Sequence, residues 1–390
     1  MIQINELLNR GVEEVIDKAH LEVALNSKKK LRVKLGIDPT SPNIHIGRAV
    51  VLWKLRAFQE LGHKVVFIVG DFTGLIGDTS DKDAERPMMS EKLVKANMKA
   101  YFAQVGKVID AKKAELHYNS KWLKKLGLVE ISKLANLFGL HEFEARENIA
   151  NRLKAGKRIS LRELLYPLFQ GYDSVAVKAD VELGGTDQKF NLLAGRVIQK
   201  AYGQDPQDIL MTSLMEGTDG RKMSSSWGNG VNITDEPNDM FGKIMSIPDS
   251  LIEKYFLLAT RTPLEEIKRV MMESVNPRDQ KIILAQRIVS LYHGNKKATE
   301  AKEVFISQFT RKELPKDIPL ILVPAVVNTV SGTIQVAVGD ISRSEARRLI
   351  EQGGVKIEDQ TINKDGLIEQ IDTERLLQVG KRRIFKFKKK

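Results

Sequence analysis

From residue 31 the chain alternates short β-type runs with segments of helical period, and few architectures accept that alternation. LRVKLGI (31–37) and KVVFIVG (64–70) are aliphatic and β-branched, while Val51, Leu52, Leu55, Phe58 and Leu61 recur between them at helical spacing until Gly62 ends the segment. A strand that is apolar along its whole length is covered on both faces, which predicts an α/β fold: a parallel sheet with helices on either side. ISLRELLYPLFQGYDSVAVKA predicts a helix, DVELGG a strand, QKFNLLAGRVIQKAYG a helix and DILMTSL another strand. Roughly Ser90 to Lys154 reads as helical throughout, an insertion between two halves of the sheet. The sheet domain is therefore expected over 1–230, with a helical insertion at about 80–160.

Past about Ile233 the strand pattern stops. SLIEKYFLLAT, PLEEIKRVMMESV and RDQKIILAQRIVSLYHG have helical period and predict an α-helical domain over 231–320. PKDIPLILVPAVVNT, with three prolines, reads as a linker leading into 321–390. There SRSEARRLIEQGGVKIEDQTINKDG predicts a helix, a Gly-Gly turn and a hairpin, a small α+β unit. The first twenty residues, MIQINELLNRGVEEVIDKAH, read as one amphipathic helix without the apolar core of a signal peptide.

Charge and composition narrow the chemistry. Lys and Arg number 62 against 50 Asp and Glu, a formal net charge of +12, and much of the excess sits in the terminal KRRIFKFKKK, as expected for a polyanionic partner such as RNA. The absence of cysteine excludes disulfide scaffolds, thiolate zinc sites and cysteine nucleophiles. No apolar run approaches the roughly 18 residues of a membrane span, so a cytoplasmic protein with no membrane partner is expected.

Two loops carry phosphate chemistry. DPTSPNIHIGR lies between the first strand and the next helix, at the sheet edge where ligands bind and helix N–H groups are free. Gly47 allows close approach of a nucleotide there, and His45 and Thr40 can donate to phosphate oxygens. GTDGRKMSSSWGN follows the last strand; Lys222 is a mobile point charge, and Ser224, Ser225 and Ser226 belong to a flexible loop able to fold over a polyphosphate. Neither GxxxxGK[ST] nor GxGxxG occurs. Tyr166, Gln170 and Asp173 stand at i, i+4 and i+7, so one helix face presents a phenol, an amide and a carboxylate together.

HIGR (His45 to Arg48) and KMSSS (Lys222 to Ser226) resemble the HIGH and KMSKS signatures of class I aminoacyl-tRNA synthetases, each with one substitution: Arg48 for the second histidine and Ser225 for the later lysine. GDFTGLIGDTS, YDSVAVKADVELGGTDQKFN and VKLGIDPT are similar to bacterial tyrosyl-tRNA synthetases of the branch with the KMSKS-like loop, over nearly the whole chain. The resemblance implies a Rossmann-like catalytic domain, a helical anticodon-binding domain and an S4-like RNA-binding domain. It implies a two-step reaction of tyrosine, ATP with Mg2+, and tRNA(Tyr), carried out by a homodimer. His45, Thr40, Lys222 and Arg48 would act in catalysis. Gly47, Gly184, Asp187, Met223, Ser224, Ser225 and Ser226 would meet ATP. Asp78, Tyr166, Gln170 and Gln188 would hold the tyrosine ammonium group, with Asp38 nearby in the tyrosine pocket, and Asp173 would receive its hydroxyl. Lys34 stands where another branch offers a tyrosine toward that hydroxyl, so this end of the pocket is expected to be built differently. Arg343, Arg347 and Arg348, in a stretch resembling the S4 type, would meet RNA phosphates. Two other readings stay open: a tryptophanyl enzyme with the same signatures, and a noncatalytic RNA-binding protein on the same scaffold.

Overall fold

The computed structural model describes residues 3–80, 88–274, 276–310, 318–358, 360–368, 373–380 and 383–389. The chain divides into two compact units, Met1–Asp235 with Lys243–Gly294, and Glu236–Gly242 with Asn295–Lys390.

The first unit is built on six strands: β1 Val12–Ile16, β2 Arg32–Ile37, β3 Lys64–Val69, β4 Glu115–Tyr118, β5 Val181–Gly185 and β6 Asp208–Thr212, in the order β1-β6-β5-β2-β3-β4. All neighbours run parallel except β1, which is antiparallel to β6. Val33, Val65 to Val69, Val181 and Ile209 to Met211 are at or near zero exposure, the double-sided burial that the apolar runs predict. From β2 the sheet extends through β3 to β4 in one direction and through β5 to β6 in the other. The carboxyl ends of β2 and β5 thus form a switch point, where an open sheet leaves a crevice.

Two expectations change here. The first twenty residues are not one helix: a short helix, Ile4–Asn9, gives way at Gly11 to β1. Gly11 has φ +61°, and a Cβ there would stand 2.5 Å from Leu258 Cδ2, so backbone conformation and packing both break the helix. Nor is the stretch from Ser90 to Lys154 helical throughout, because β4 interrupts it as an edge strand. Its four residues, Glu-Leu-His-Tyr, are all only partly buried, too short and too mixed to show a strand period.

The helix Leu161–Val177 starts with a full capping box, Ser160 with Glu163, and buries Tyr166, Leu168, Phe169 and Asp173. Helices Ile252–Ala259, Leu264–Glu273 and Pro277–His293 belong to this same unit.

The second unit has a five-stranded sheet, β7 Leu320–Val323, β8 Val355–Ile357, β9 Gln360–Ile362, β10 Arg375–Val379 and β11 Arg383–Lys389, ordered β7-β11-β10-β8-β9. Val323, Ile334, Ile350, Val355, Leu377 and Phe387 form its core. The expected linker is a strand over 320–323, parallel to β11 and bracketed by Pro319 and Pro324, where an edge strand tolerates proline. The basic terminus is likewise a strand whose Phe387 is fully buried; residues 381, 382 and 390 of that run lie outside the described residues.

Candidate active site

The crevice is a cavity of about 480 Å³, and every residue assigned from sequence to catalysis, ATP or tyrosine lines it. Asp38 and Thr40 follow β2; His45, Gly47 and Arg48 open the helix Ile46–Glu60; Asp78 follows the turn Thr73–Ile76; Tyr166, Gln170 and Asp173 come from the helix Leu161–Val177. Gly184 is the penultimate residue of β5, Asp187 and Gln188 form the next turn, and Lys222, Met223, Ser224, Ser225 and Ser226 come from the loop after β6.

The two signature loops touch. Ile46 N–H donates to the Val231 carbonyl at 2.8 Å, Gly47 N–H lies 3.4 Å from Met223 Sδ, and the hydroxyls of Ser41 and Ser225 are 3.1 Å apart. A side chain at Gly47 would be tightly confined, since a Cβ would fall 3.1 Å from His45 Nδ1 and 3.3 Å from Met223 Sδ. His45 caps its helix, Nδ1 accepting from Arg48 N–H at 3.2 Å. That bond requires the tautomer with hydrogen on Nε2. Burial first, then the cations of Arg48 and Lys222, push the imidazole down to about 3, so at neutral pH it is an uncharged donor.

Arg48, in place of the signature's histidine, is held by Thr40 Oγ1 at 2.9 Å and by the Tyr101 hydroxyl at 3.3 Å. Lys222 donates to Asp187 Oδ2 at 2.8 Å. The residues expected at the pyrophosphate and at the ribose are therefore joined to each other. Asn229 shapes the loop, accepting from Ser224 N–H and donating to Asp219 Oδ1 and the Lys222 carbonyl.

Next to the phosphate end is a carboxylate cluster. Asp38 accepts from Thr73 Oγ1 at 2.7 Å and from Tyr166 OH at 3.0 Å; burial, with Asp78 adding repulsion, pushes it up to about 6. Gln188 donates to Asp78 Oδ2 at 2.7 Å. Just after β3, a Cβ on Gly70 would lie 2.0 Å from Asp38 Oδ1 and 2.3 Å from Thr73 Oγ1, so a side chain there would displace this pair.

Asp173 closes the inner end at 3% exposure. It accepts from Trp122 Nε1 at 2.7 Å and Asn119 Nδ2 at 3.2 Å. Burial raises it to about 7, opposed by the Lys34 cation and these two donors. Lys34 does not line the cavity. It is fully buried and ion-paired with Glu182 at 2.7 Å, so the groups that assist Asp173 directly are Trp122 and Asn119.

Asn119, Trp122, Tyr101, Thr73 and Asn229 are not singled out by sequence, and each acts by bonding a predicted residue. Asn119, Trp122 and Tyr101 stand in segments without a recognisable motif, whereas Thr73 and Asn229 lie inside GDFTGLIGDTS and GTDGRKMSSSWGN, where nothing local marks them as partners of Asp38 and of the Lys222 loop. Asn119 and Trp122 are reached only because β4 delivers them beside the Asp173 helix.

In the second unit, Arg343, Arg347 and Arg348 lie on the helix Arg343–Glu351, capped by Ser342. Arg343 donates to Thr329 Oγ1, Arg347 pairs with Asp365 at 3.0 Å, and Arg348 is two-thirds exposed.

The family model described as "tRNA synthetases class I (W and Y)" matches residues 26–310. The chain is 45% identical over 386 residues to a tyrosine–tRNA ligase of Thermotoga maritima, covering 98% of this chain and 96% of that one. It is 46% identical over 403 residues to a tyrosine–tRNA ligase of Carboxydothermus hydrogenoformans, with the same two shares. Among solved structures it is similar to a truncated mitochondrial tyrosyl-tRNA synthetase of Coccidioides posadasii, TM-score 0.63 and 25% identity, covering 77% of this chain and 90% of that one. A tyrosyl-tRNA synthetase of Archaeoglobus fulgidus complexed with L-tyrosine, at 21% identity and TM-score 0.60, covers 76% and 98% and shares the fold. The chain belongs to the class I tRNA synthetases of the tryptophan and tyrosine type, and within them to the tyrosine–tRNA ligase family.

Proposed function

We propose that this chain activates tyrosine with ATP and transfers it to the 3' end of tRNA(Tyr). The observation that carries the reading is one cavity with a phosphate-handling rim, His45 beside the Lys222 loop, and a buried carboxylate, Asp173, oriented by two donors at its inner end. A tyrosine seated with its hydroxyl on Asp173 has its ammonium group among Asp38, Asp78, Tyr166, Gln170 and Gln188. Its carboxylate then faces the phosphate rim. Indole offers Asp173 a donor too, but the carboxylate with its paired donors favours a phenol at the end of a six-membered ring. A pocket built for a hydroxyl rejects phenylalanine by about 10⁵, a discrimination already established for tyrosyl-tRNA synthetase itself.

In the first step a tyrosine carboxylate oxygen attacks the α-phosphorus and the bond to pyrophosphate breaks; in the second a terminal ribose hydroxyl of tRNA attacks the carbonyl and AMP leaves. Neither needs a protein nucleophile. His45 Nε2–H and Lys222 stabilise charge on phosphate oxygens, and Arg48 with Thr40 adds a fixed cation beside them. ATP drawn in takes Lys222 from Asp187, which frees Asp187 for ribose hydroxyls. Gly47 and Gly184 give the nucleotide close backbone approach, and Met223 and Ser224 to Ser226 close over it. Magnesium would accompany ATP, held by its phosphate oxygens.

The helices after residue 231 would meet the anticodon arm, and the α+β unit, with Arg343, Arg347 and Arg348, would bind RNA phosphates in the manner of an S4 domain. All three arginines are exposed, Arg348 more so than Arg347. The chain works as a homodimer in the cytoplasm; exposed Leu128, Val129 and Leu140 on the insertion, with Leu161 just after it, support a second copy covering that segment. No helix among the described residues is long and apolar enough to cross a membrane.

ATP–pyrophosphate exchange run separately with tyrosine, tryptophan and phenylalanine tests the reading. Exchange with tyrosine is expected; exchange with tryptophan alone, or tRNA binding without any exchange, overturns it.

A further inference from the structure

Behind the amino-acid pocket lies an ion pair that the two-step reaction does not use. Lys34 on β2 and Glu182 on β5 are ladder partners in adjacent parallel strands, and both are essentially inaccessible to solvent. The pair is fully bonded. Lys34 Nζ donates to Glu182 Oε1 at 2.7 Å, Ser174 Oγ at 2.9 Å and the Gln170 carbonyl at 2.9 Å. Glu182 also accepts from the Gln170 side-chain amide, Ser174 Oγ and Gln207.

Burying two opposite charges is a poor way to add stability, since apolar residues of the same volume often do as well or better. What an apolar pair cannot do is supply an electric field. Four of the pair's contacts are with Gln170 and Ser174, which flank Asp173 on the helix Leu161–Val177. Asp173 sits in a fully buried setting that resists its charge; the Lys34 cation favours the ionised carboxyl and the Glu182 anion opposes it, less strongly.

We propose that Lys34 and Glu182 are positioning residues for substrate recognition: the ammonium sustains the charge on Asp173 that receives the substrate's hydroxyl, while Glu182 moderates that field and tethers Gln170. Lys34 acts through the field and not by contact, which is how a strand position without a tyrosine still serves the hydroxyl end. This rests on the reading that Asp173 meets the tyrosine hydroxyl. The groups facing Asp173 are Lys34 from β2, Glu182 from β5, Asn119 and Trp122 from the segment after β4, and Tyr166 on its own helix. His117 meets Trp122 edge-on and contacts Glu115, which Arg32 also pairs, and this group is common to every variant below.

The test is the pH dependence of tyrosine binding to the full-length enzyme without ATP, by titration calorimetry, for wild type, Lys34→Gln, Glu182→Gln, the double variant Lys34→Met/Glu182→Met, and Asp173→Asn. Wild-type affinity is expected to fall as pH drops through about 7. Lys34→Gln should move that limb to higher pH by roughly one unit, and Glu182→Gln should move it to lower pH by less. The double variant, which removes both charges and folds without an unpaired ion, should return most of the way to wild type. Opposite displacements support the proposal, because general damage to the pocket would weaken binding in both variants without moving the limb in two directions. Displacement in the same direction, or none, in Lys34→Gln and Glu182→Gln overturns it. If Lys34→Gln does not fold, Glu182→Gln and the double variant decide: a downward shift that the double variant reverses is required. A pH limb that survives in Asp173→Asn overturns the assignment of Asp173 itself.

Discussion

Removing one hydrogen from the floor of the pocket should weaken tyrosine and spare phenylalanine. Trp122→Phe keeps the ring that packs beside His117 but deletes the Nε1–H that reaches Asp173 Oδ1 at 2.7 Å. The carboxyl keeps Asn119 as its direct donor, at the longer distance of 3.2 Å. Its proton is then harder to remove, because the deleted donor favoured the ionised form and burial still opposes it. Near neutral pH the substrate's hydroxyl meets a mostly neutral acid in place of a carboxylate. A hydrogen bond to a charged group contributes about 1.5–3 kcal/mol and a neutral one about 0.5–1.5, so the loss is about 1–1.5 kcal/mol, five- to twelvefold in tyrosine affinity. Phenylalanine makes no such bond, so the tyrosine-to-phenylalanine ratio of kcat/KM should narrow by the same factor. Pyrophosphate exchange with each amino acid at saturating ATP measures both quantities. An unchanged ratio, or equal losses for the two substrates, would refute the claim that Trp122 acts through the Asp173 charge.

His45→Ala removes both a helix cap and a phosphate donor; adenylate formation should slow by about 10²–10³ and stability fall by about 0.5–2 kcal/mol, while His45→Asn, which keeps an amide donor and a good cap, should lose less of both by stopped-flow and thermal melting. Lys222→Ala should slow adenylate formation far more than it weakens tyrosine binding, because its partner is the departing pyrophosphate; equal losses would remove that role. Gly70→Ala places a methyl 2.0 Å from Asp38 Oδ1 and should raise the tyrosine KM at least about tenfold through displacement of that carboxyl, with a smaller change for ATP; steady-state kinetics on a folded variant decide this. Asp173 has a folded-state pKa of about 7, above its unfolded value, so the native state takes up the proton first. The cost of its charge is then present in full above about 7 and relieved as pH falls through that value. The stability gained by Asp173→Asn without ligand should therefore be largest near pH 8 and shrink toward about pH 5.5, and a gain that does not change with pH would contradict the assignment.

Much was legible from local order alone. Strand and helix periods depend on neighbouring residues, so they mark β2, β3, β5, β6 and the helices between them without tertiary information. Motif residues such as His45, Gly47 and Lys222 are legible because their roles impose backbone conformation and spacing over a few positions. Asp173 stands out because it shares a helix face with Tyr166 and Gln170. Where the sequence falls short, the cause is structure set at a distance. β1 and β7 are edge strands whose pairing partners are nearly 200 residues and about 66 residues away in the chain, and β4 carries no strand period of its own. Trp122 and Asn119 have no local mark, because their purpose is a hydrogen bond to a helix some fifty residues on. Lys34 is the sharpest case. Its sequence shows a lysine where a phenol could stand, and only the register of β2 on β5 decides that its charge faces Glu182, behind the pocket and out of it. A period fixes which way a side chain leaves its own strand or helix; which charge it meets there depends on the element the fold lays alongside.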